Sequence, residues 1–118
     1  TIEKREYNFD IKGVQMYNSR LDLGILNKFV SDTLYFTIKN NRDKPLKFKR
    51  LQQHSDGVWK AKLMDKEIPA GGSGVLKIVT QKDFKSNNRF FEHPLTLHFK
   101  SPGPKRIFIT VFGQIAEN

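Results

Sequence analysis

The sequence predicts an all-β domain of seven or eight short antiparallel strands, folded as a sandwich or a barrel. Short runs in which apolar and polar residues alternate recur every 10 to 15 residues along the chain. No window of 11 or more residues has the three-four apolar spacing of an amphipathic helix. The segments between the runs are rich in Gly, Pro, Asn and Asp, which favour turns.

Residues 33–51 give the firmest prediction of local structure. Leu34, Phe36 and Ile38 would share one face of a strand, because strand side chains alternate between two faces. The turn at residues 41–45 combines Asn and Asp, which bond their own backbone, with a proline, which cannot donate into a ladder. A second alternating run follows directly. We therefore expect two half-buried antiparallel strands that pair as a hairpin.

The first alternating run contains Tyr7, Phe9 and Ile11. We interpret residues 1–16 as an N-terminal edge strand or a linker, and residues 17–118 as the folded domain. The remaining strands are expected at residues 21–26, 58–63, 75–80, 95–100 and 106–112.

The last predicted strand is apolar on both faces. One face carries Ile107, Ile109 and Val111, and the other carries Phe108 and Phe112. A strand that is buried on one face only should alternate apolar with polar residues. Either this strand is central and covered on both faces within the domain, or one of its faces meets a neighbouring domain.

The composition fits a single domain with excess positive charge. With 118 residues and 37% apolar content, the chain is large enough to bury a core. Its 21 Lys and Arg against 12 Asp and Glu give a net charge of +9, which attracts polyanions. Cysteine is absent, which excludes disulfides, thiolate metal sites and a cysteine nucleophile. No run approaches the roughly 20 apolar residues of a membrane helix.

The residues with catalytic or metal-binding chemistry do not form a convincing site. Residues 54–56 read His-Ser-Asp, but a catalytic triad needs side chains that converge from separate elements. His93 and His98 are five apart on a predicted strand, so they should point to opposite faces, and we expect both to be solvated. The glycine-rich residues 69–74 precede a strand rather than a helix, which indicates a turn and not a phosphate cradle.

Basic residues surround the predicted hairpin. On a strand, Lys47 and Lys49 would share the face opposite Leu46, so the hairpin would present a basic stripe. Such a stripe would bind a polyanion, either nucleic acid or an acidic glycan, in a salt-dependent way. Alternatively, it is a solvated face that discourages edge-to-edge aggregation. The candidate residues are Lys39, Arg42, Lys44, Lys47, Lys49 and Arg50.

Three aromatic residues have specific expected environments. Trp59 alternates with Ala61 and Leu63 on an inward strand face, which predicts a core tryptophan. Phe90 and Phe91 are adjacent and should not both point into one core, unless a bulge buries both. We therefore consider this pair a candidate exposed aromatic anchor for a partner.

Four segments carry a family resemblance: Leu-Asp-Leu-Gly-Ile-Leu at 21–26, Phe-Thr-Ile-Lys-Asn-Asn at 36–41 with Pro45 and Leu46, Ile-Pro-Ala-Gly at 68–71, and Ile-Thr-Val-Phe-Gly-Gln-Ile at 109–115. In this order they resemble a bacterial family of uncharacterised Ig-like domains. That family is common in Bacteroidetes and usually exported, and it is distantly similar to the Hydin-type and major-sperm-protein Ig modules.

The residues at the matching positions also fit particular structural roles. Gly24 and Gly113 fit a bulge or a close backbone approach, and Asn40 fits a strand end. Ile68 would enter the core just before a turn. The family has no established catalytic set, and many members carry Cys-Gly-Cys where this chain has residues 52–57 without cysteine. Any role that those cysteines have in the family therefore cannot be assigned to this chain.

We therefore predict an Ig-like β-sandwich of seven to eight strands with Greek-key connections. The expected function is that of a non-catalytic interaction or structural module of an exported protein, in the periplasm or at the cell surface. It would bind a protein partner or an adjacent domain by surface complementarity or strand addition. The alternative is polyanion binding through the basic hairpin. We expect no catalytic residue, metal or cofactor, and the start at Thr1 fits either a removed export signal or a trimmed chain.

Overall fold

The computed structural model describes residues 9–16, 18–27, 29–54, 57–81, 89–100 and 104–116. The predictions that concern Thr1, Tyr7 and residues 55–56 lie outside these ranges. Within the ranges, no helix is long and apolar enough to cross a membrane.

The described residues form ten strands, which confirms the all-β prediction. The strands are β1 Phe9–Ile11, β2 Val14–Met16, β3 Arg20–Leu26, β4 Thr33–Asn40, β5 Leu46–Gln53, β6 Trp59–Leu63, β7 Glu67–Ile68, β8 Ser73–Thr80, β9 Phe90–Phe99 and β10 Arg106–Ile115. The two strands that the sequence did not indicate are β2 and β7. With three and two residues, they are too short to show an alternating pattern.

The strands build two five-stranded sheets that pack as a sandwich. The first sheet has the order β1-β2-β4-β8-β6, and the second sheet has the order β3-β10-β9-β5-β7. All neighbouring strands are antiparallel except β3 and β10, which are parallel. Consecutive strands such as β8 and β9 lie in different sheets, and these crossovers are typical of Greek-key sandwiches.

Strands β4 and β5 do not pair as the predicted hairpin. β4 lies between β2 and β8 in the first sheet, whereas β5 lies between β9 and β7 in the second. Asn40 is the last residue of β4, and its side chain is buried. Its Nδ2 donates to the carbonyl oxygens of Lys44 (2.9 Å) and Ile68 (3.0 Å). These bonds fix a chain path that leaves one sheet and enters the other. The hairpin prediction is therefore wrong, and the predicted role of Asn40 at a strand end is confirmed.

The core lies between the inward faces of the two sheets, as the alternating pattern predicts. Trp59 is fully buried, and Leu63 on the same strand face is 6% exposed. Ile68 is 1% exposed, which confirms that it enters the core before the turn. The second sheet contributes residues such as Leu95 and Ile107, both fully buried.

A β-bulge with a close backbone approach lies where β10 pairs with β3. The register between the two strands shifts between Phe112 and Gln114, and Gly24 opposite has a φ of +77°. A Cβ atom on Gly113 would lie 2.8 Å from the carbonyl oxygen of Gly24 and 2.8 Å from the Phe91 ring. The bulge and close approach predicted for these glycines are confirmed.

We expect Gly113→Ala to lower the free energy of unfolding by about 1–3 kcal/mol, since the methyl group must displace backbone and a packed ring. Urea denaturation measures this loss. Gln114→Ala is the control, because Gln114 is exposed on the same strand and should change stability by less than about 0.5 kcal/mol. An unchanged midpoint in the Gly113 variant would contradict the tight bulge.

Candidate functional site

The outer face of the second sheet carries a row of three basic residues. His98 on β9 lies directly opposite Arg50 on β5 and Arg106 on β10. Neighbouring strands are about 4.8 Å apart, so the two arginines flank the imidazole on either side. The inward neighbours of His98, Leu97 and Phe99, fill the core. We call Arg50, His98 and Arg106 the basic row.

The basic row lines an open cavity of about 430 Å³. Three more basic residues, Lys49, Lys100 and Lys105, line this cavity. Two backbone hydrogen bonds hold its walls together: Lys100 N–H donates to Lys47 (2.8 Å), and Phe99 N–H donates to Lys105 (2.9 Å). Lys49 lies in a bulge of β5, where the register with β9 shifts between Phe48 and Arg50.

A second cavity of about 530 Å³ adjoins the first, and the two share Lys49 and Lys100 as lining residues. Glu67 is the one carboxylate among the described residues that line either cavity. We call the two cavities together the basic groove. Its eight Lys and Arg are Lys47, Lys49, Arg50, Lys62, Lys66, Lys100, Lys105 and Arg106.

The structure separates the six basic residues that the sequence grouped on one hairpin. Lys47, Lys49 and Arg50 lie in the basic groove. Lys39 lies on the first sheet, where its Nζ donates to the carbonyl oxygen of Gly71 (2.7 Å). Arg42 and Lys44 lie in the connection between β4 and β5. A single basic hairpin face is therefore wrong, because β4 and β5 belong to different sheets.

Sequence reasoning missed the five groove residues that lie outside residues 39–50. They are Lys62, Lys66, Lys100, Lys105 and Arg106. All five are exposed and come from segments far from residues 39–50 in the sequence. The fold brings them beside Lys49 through the pairing of β5 with β7 and β9, the pairing of β9 with β10, and the packing of β6 in the other sheet against β5. No local pattern in the sequence reports this pairing.

His98 is buried, contrary to the prediction of a solvated histidine. It is 8% exposed, and its Nε2 lies 3.2 Å from the amide oxygen of Gln52. Burial lowers its pKa, and the positive charges of Arg50 and Arg106 lower it further. His98 thus faces outward, as the alternation predicts, but its neighbours on β5 and β10 cover it.

We expect acid to destabilise the wild-type protein more than His98→Gln. The pKa of His98 is lower in the folded state than its ordinary value of 6.5. As the pH falls, the unfolded chain therefore binds the proton first, and stability that is complete above about pH 6.5 is lost below it. Melting temperatures of the two proteins at pH 7 and pH 5 measure this difference. An equal fall in melting temperature in both proteins would contradict a lowered pKa of His98.

His93 points into the sandwich rather than into solvent, and it is half-buried. Its Nδ1 accepts a hydrogen bond of 3.0 Å from Trp59 Nε1. The prediction that His93 and His98 occupy opposite faces is confirmed, and that of two solvated histidines is wrong. Across the described ranges, no group of three or more His, Asp or Glu could hold a metal ion.

Phe90 and Phe91 have opposite environments on β9. Phe90 is 66% exposed, whereas Phe91 is 8% exposed and its ring stacks on His93 with 5.5 Å between centroids. Regular alternation along the strand separates them, without the bulge that would bury both. Phe91 is therefore a core residue, and Phe90 alone stays a candidate anchor.

The described residues cover the outer face of β10 only in part. β10 is central, between β3 and β9, but Phe108 is 65% exposed. Phe112 is half-buried beneath the guanidinium of Arg20, 4.9 Å from the ring centroid. Ile25 on β3 is 70% exposed. We call Phe90, Phe108, Phe112 and Ile25 the aromatic face.

Neither a protein-family model nor a curated protein matches this chain. Solved structures do. A Porphyromonas gingivalis protein of unknown function has a TM-score of 0.69 at 16% identity, over 91% of this chain and 50% of that one. A PapD-like domain of human CEP192 has a TM-score of 0.65 at 9% identity, over 100% and 95%. A Caenorhabditis elegans member of the MSP family has a TM-score of 0.56 at 10% identity, over 89% and 99%.

These likenesses show the fold. The chain is an Ig-like β-sandwich similar to PapD-like and MSP domains, as the sequence predicted. It spans half of the Porphyromonas chain, and 23% and 32% of two other matched chains.

Proposed function

We propose that this domain is a non-catalytic binding module of an exported cell-envelope protein, in which residues 17–118 bind a protein partner or an adjacent domain through the aromatic face. The exposure of Phe108 and Phe90 carries the proposal. Large apolar side chains grouped on one surface mark interaction sites, and aromatic residues contribute strongly to binding energy.

The aromatic face has the dimensions of a binding surface. Phe108 and Gln114, which lies opposite Phe90, are six residues apart on β10, so the face extends about 20 Å along the strand at its usual rise. The Arg20–Glu92 ion pair of 3.3 Å crosses it beside Phe112. An apolar line with charged groups beside it is the usual anatomy of a transient protein interface.

Surface complementarity has better support than strand addition at the β6 edge. The side chain of Gln53 occupies that edge: Ala61 N–H donates to its Oε1 (2.9 Å), and its Nε2 donates to the carbonyl oxygen of Trp59 (3.1 Å). A peptide would have to displace these bonds before it could add as a strand. Among the described strands, β3 is the other long strand at the edge of a sheet, and it carries the exposed Ile25.

Site-specific photo-crosslinking in the native host tests the aromatic face. A crosslinking amino acid at position 108 should form a discrete adduct, and the same residue at position 35 should not. Tyr35 is the matched control, because it is 64% exposed on a strand of the first sheet. Equal adducts at both positions, or none at position 108, would contradict the proposal.

The export proposal rests on the sequence resemblance to exported Ig-like domains. Fractionation of the native host should place the full-length protein in the envelope fraction. Recovery with the cytosolic markers would overturn this part of the proposal.

The basic groove favours a second candidate function, the binding of a polyanion. Eight Lys and Arg line a concave surface with a single described carboxylate, Glu67. Such a surface attracts polyanions through counterion release and long-range steering. Three of these residues, Lys47, Lys49 and Arg50, belong to the set that the sequence predicted, and the function is the alternative that the sequence suggested.

A further inference from the structure

We propose that the basic groove binds a linear acidic polysaccharide, whose carboxylate or sulfate groups lie along it from the basic row to Lys62 and Lys66. This inference rests on the second candidate function and names its ligand class. Three observations support it: the lack of ion-pair partners for its basic residues in the described part of the chain, the extension of the groove over two adjoining cavities, and the packing of its two described aromatic rings against each other.

The eight Lys and Arg of the groove have no ion-pair partner in the described part of the chain. The lowered pKa of His98 has the same origin in part, since Arg50, Arg106 and Lys49 all disfavour its protonation. Like charges held together on one surface repel each other, and a bound anion relieves this repulsion.

The groove is extended rather than a pocket for one anion. Its two cavities meet at Lys49 and Lys100, which line both. The basic row lies at one end, and Lys62 and Lys66 lie beyond the meeting point. A single anion would contact only part of this surface. A polymer with repeated anionic groups would contact lysines along the whole groove.

The aromatic residues of the groove offer limited ring surface for stacking, since one is buried and the other, Phe48, is half-buried. Phe48 and Phe99 line it, but their rings pack edge to face with 6.0 Å between centroids, and Phe99 is 4% exposed. Binding of single-stranded nucleic acid relies on open aromatic faces for the bases. Carboxylate and sulfate groups need only cations and hydrogen-bond donors, and the groove supplies these.

A matched pair of double variants tests the site. K49Q/K100Q removes the two lysines that both cavities share. K12Q/K39Q removes the same charge from the β1–β2 turn and from β4 of the first sheet. The probes are a heparin-derived oligosaccharide, a galacturonate oligomer and a single-stranded oligonucleotide of equal charge, measured by calorimetry at two salt concentrations.

We expect the wild-type chain to bind at least one of the two glycans more tightly than the oligonucleotide. K49Q/K100Q should weaken glycan binding about tenfold, and should lower the slope of log affinity against log salt by about 1 for each lysine that contacts an anion. K12Q/K39Q should change affinity by less than about twofold, since loss of distant surface charge has a small, screened effect.

The outcomes separate the inference from the function on which it rests. Tighter binding of the oligonucleotide, weakened by K49Q/K100Q, would overturn the polysaccharide and leave the polyanion function. Equal weakening by both double variants would overturn the groove as the site. No binding of any probe at low salt would overturn both the inference and the second candidate function. Melting temperatures of the variants check that the fold is unchanged.

Discussion

Replacing Trp59 with alanine should lower the free energy of unfolding by about 3–5 kcal/mol, the usual cost of removing a large aromatic side chain from a core. Trp59 is fully buried, and it joins the two sheets because its Nε1 donates to His93 Nδ1 on the second sheet (3.0 Å). Alanine would leave a cavity at this junction and would remove the hydrogen bond from Trp59 to His93. Urea denaturation followed by circular dichroism measures the loss.

Trp59→Phe separates the cavity from the hydrogen bond. Phenylalanine keeps most of the ring but cannot donate, so we expect a loss of about 1–3 kcal/mol from the lost Trp59–His93 hydrogen bond and the smaller volume. Fluorescence is unsuitable as the probe, because Trp59 is the single tryptophan of the chain. A loss below about 1.5 kcal/mol in Trp59→Ala would show that the core does not depend on this contact.

The inward faces of the strands were predictable because side-chain alternation is a local property. Trp59 and Leu63 on β6, and Ile107 and Ile109 on β10, all point inward as the pattern indicates. The bulge at Gly113 was predictable too, since a glycine within an apolar strand has few other reasons to be there. These features require only the residues on either side in the sequence.

The pairing of the strands was not predictable in the same way. The turn after Asn40 has the composition of a hairpin turn, yet the chain crosses to the other sheet there, because Asn40 bonds carbonyl groups at Ile68 and Pro69 from a distant segment. The burial of His98 has a similar origin, since Arg50 and Arg106 lie on other strands. Non-local contacts of this kind leave no periodic signal in the sequence.

Because strand pairing was not predictable, only part of the basic groove was predictable from the sequence. The excess of positive charge was evident from composition, and Lys47, Lys49 and Arg50 were among the predicted residues. The partners that complete the groove, such as Lys62 and Arg106, come from segments that the fold alone brings together. The sequence therefore indicated the chemistry of the surface but not its location.

Asn40→Ala should lower the free energy of unfolding by about 2–4 kcal/mol, because the alanine leaves a cavity and removes the donor to one buried and two part-buried carbonyl groups. Asn40 is fully buried. Its Nδ2 lies 2.9 Å from the carbonyl oxygen of Lys44, 3.0 Å from that of Ile68 and 3.2 Å from that of Pro69. Its Oδ1 also accepts a hydrogen bond from Arg42 N–H (3.2 Å). Thermal and urea unfolding measure the change.

Two further variants identify the cause. Asn40→Asp keeps the volume but places a carboxylate against carbonyl oxygens, so it should be at least as unstable as Asn40→Ala. Asn41→Ala changes an exposed neighbour and should cost less than about 0.5 kcal/mol. If Asn40→Asp were as stable as the wild type, the amide donor would not be what directs the chain from β4 into β5. The crossing that places Lys47 and Lys49 in the basic groove would then need another cause.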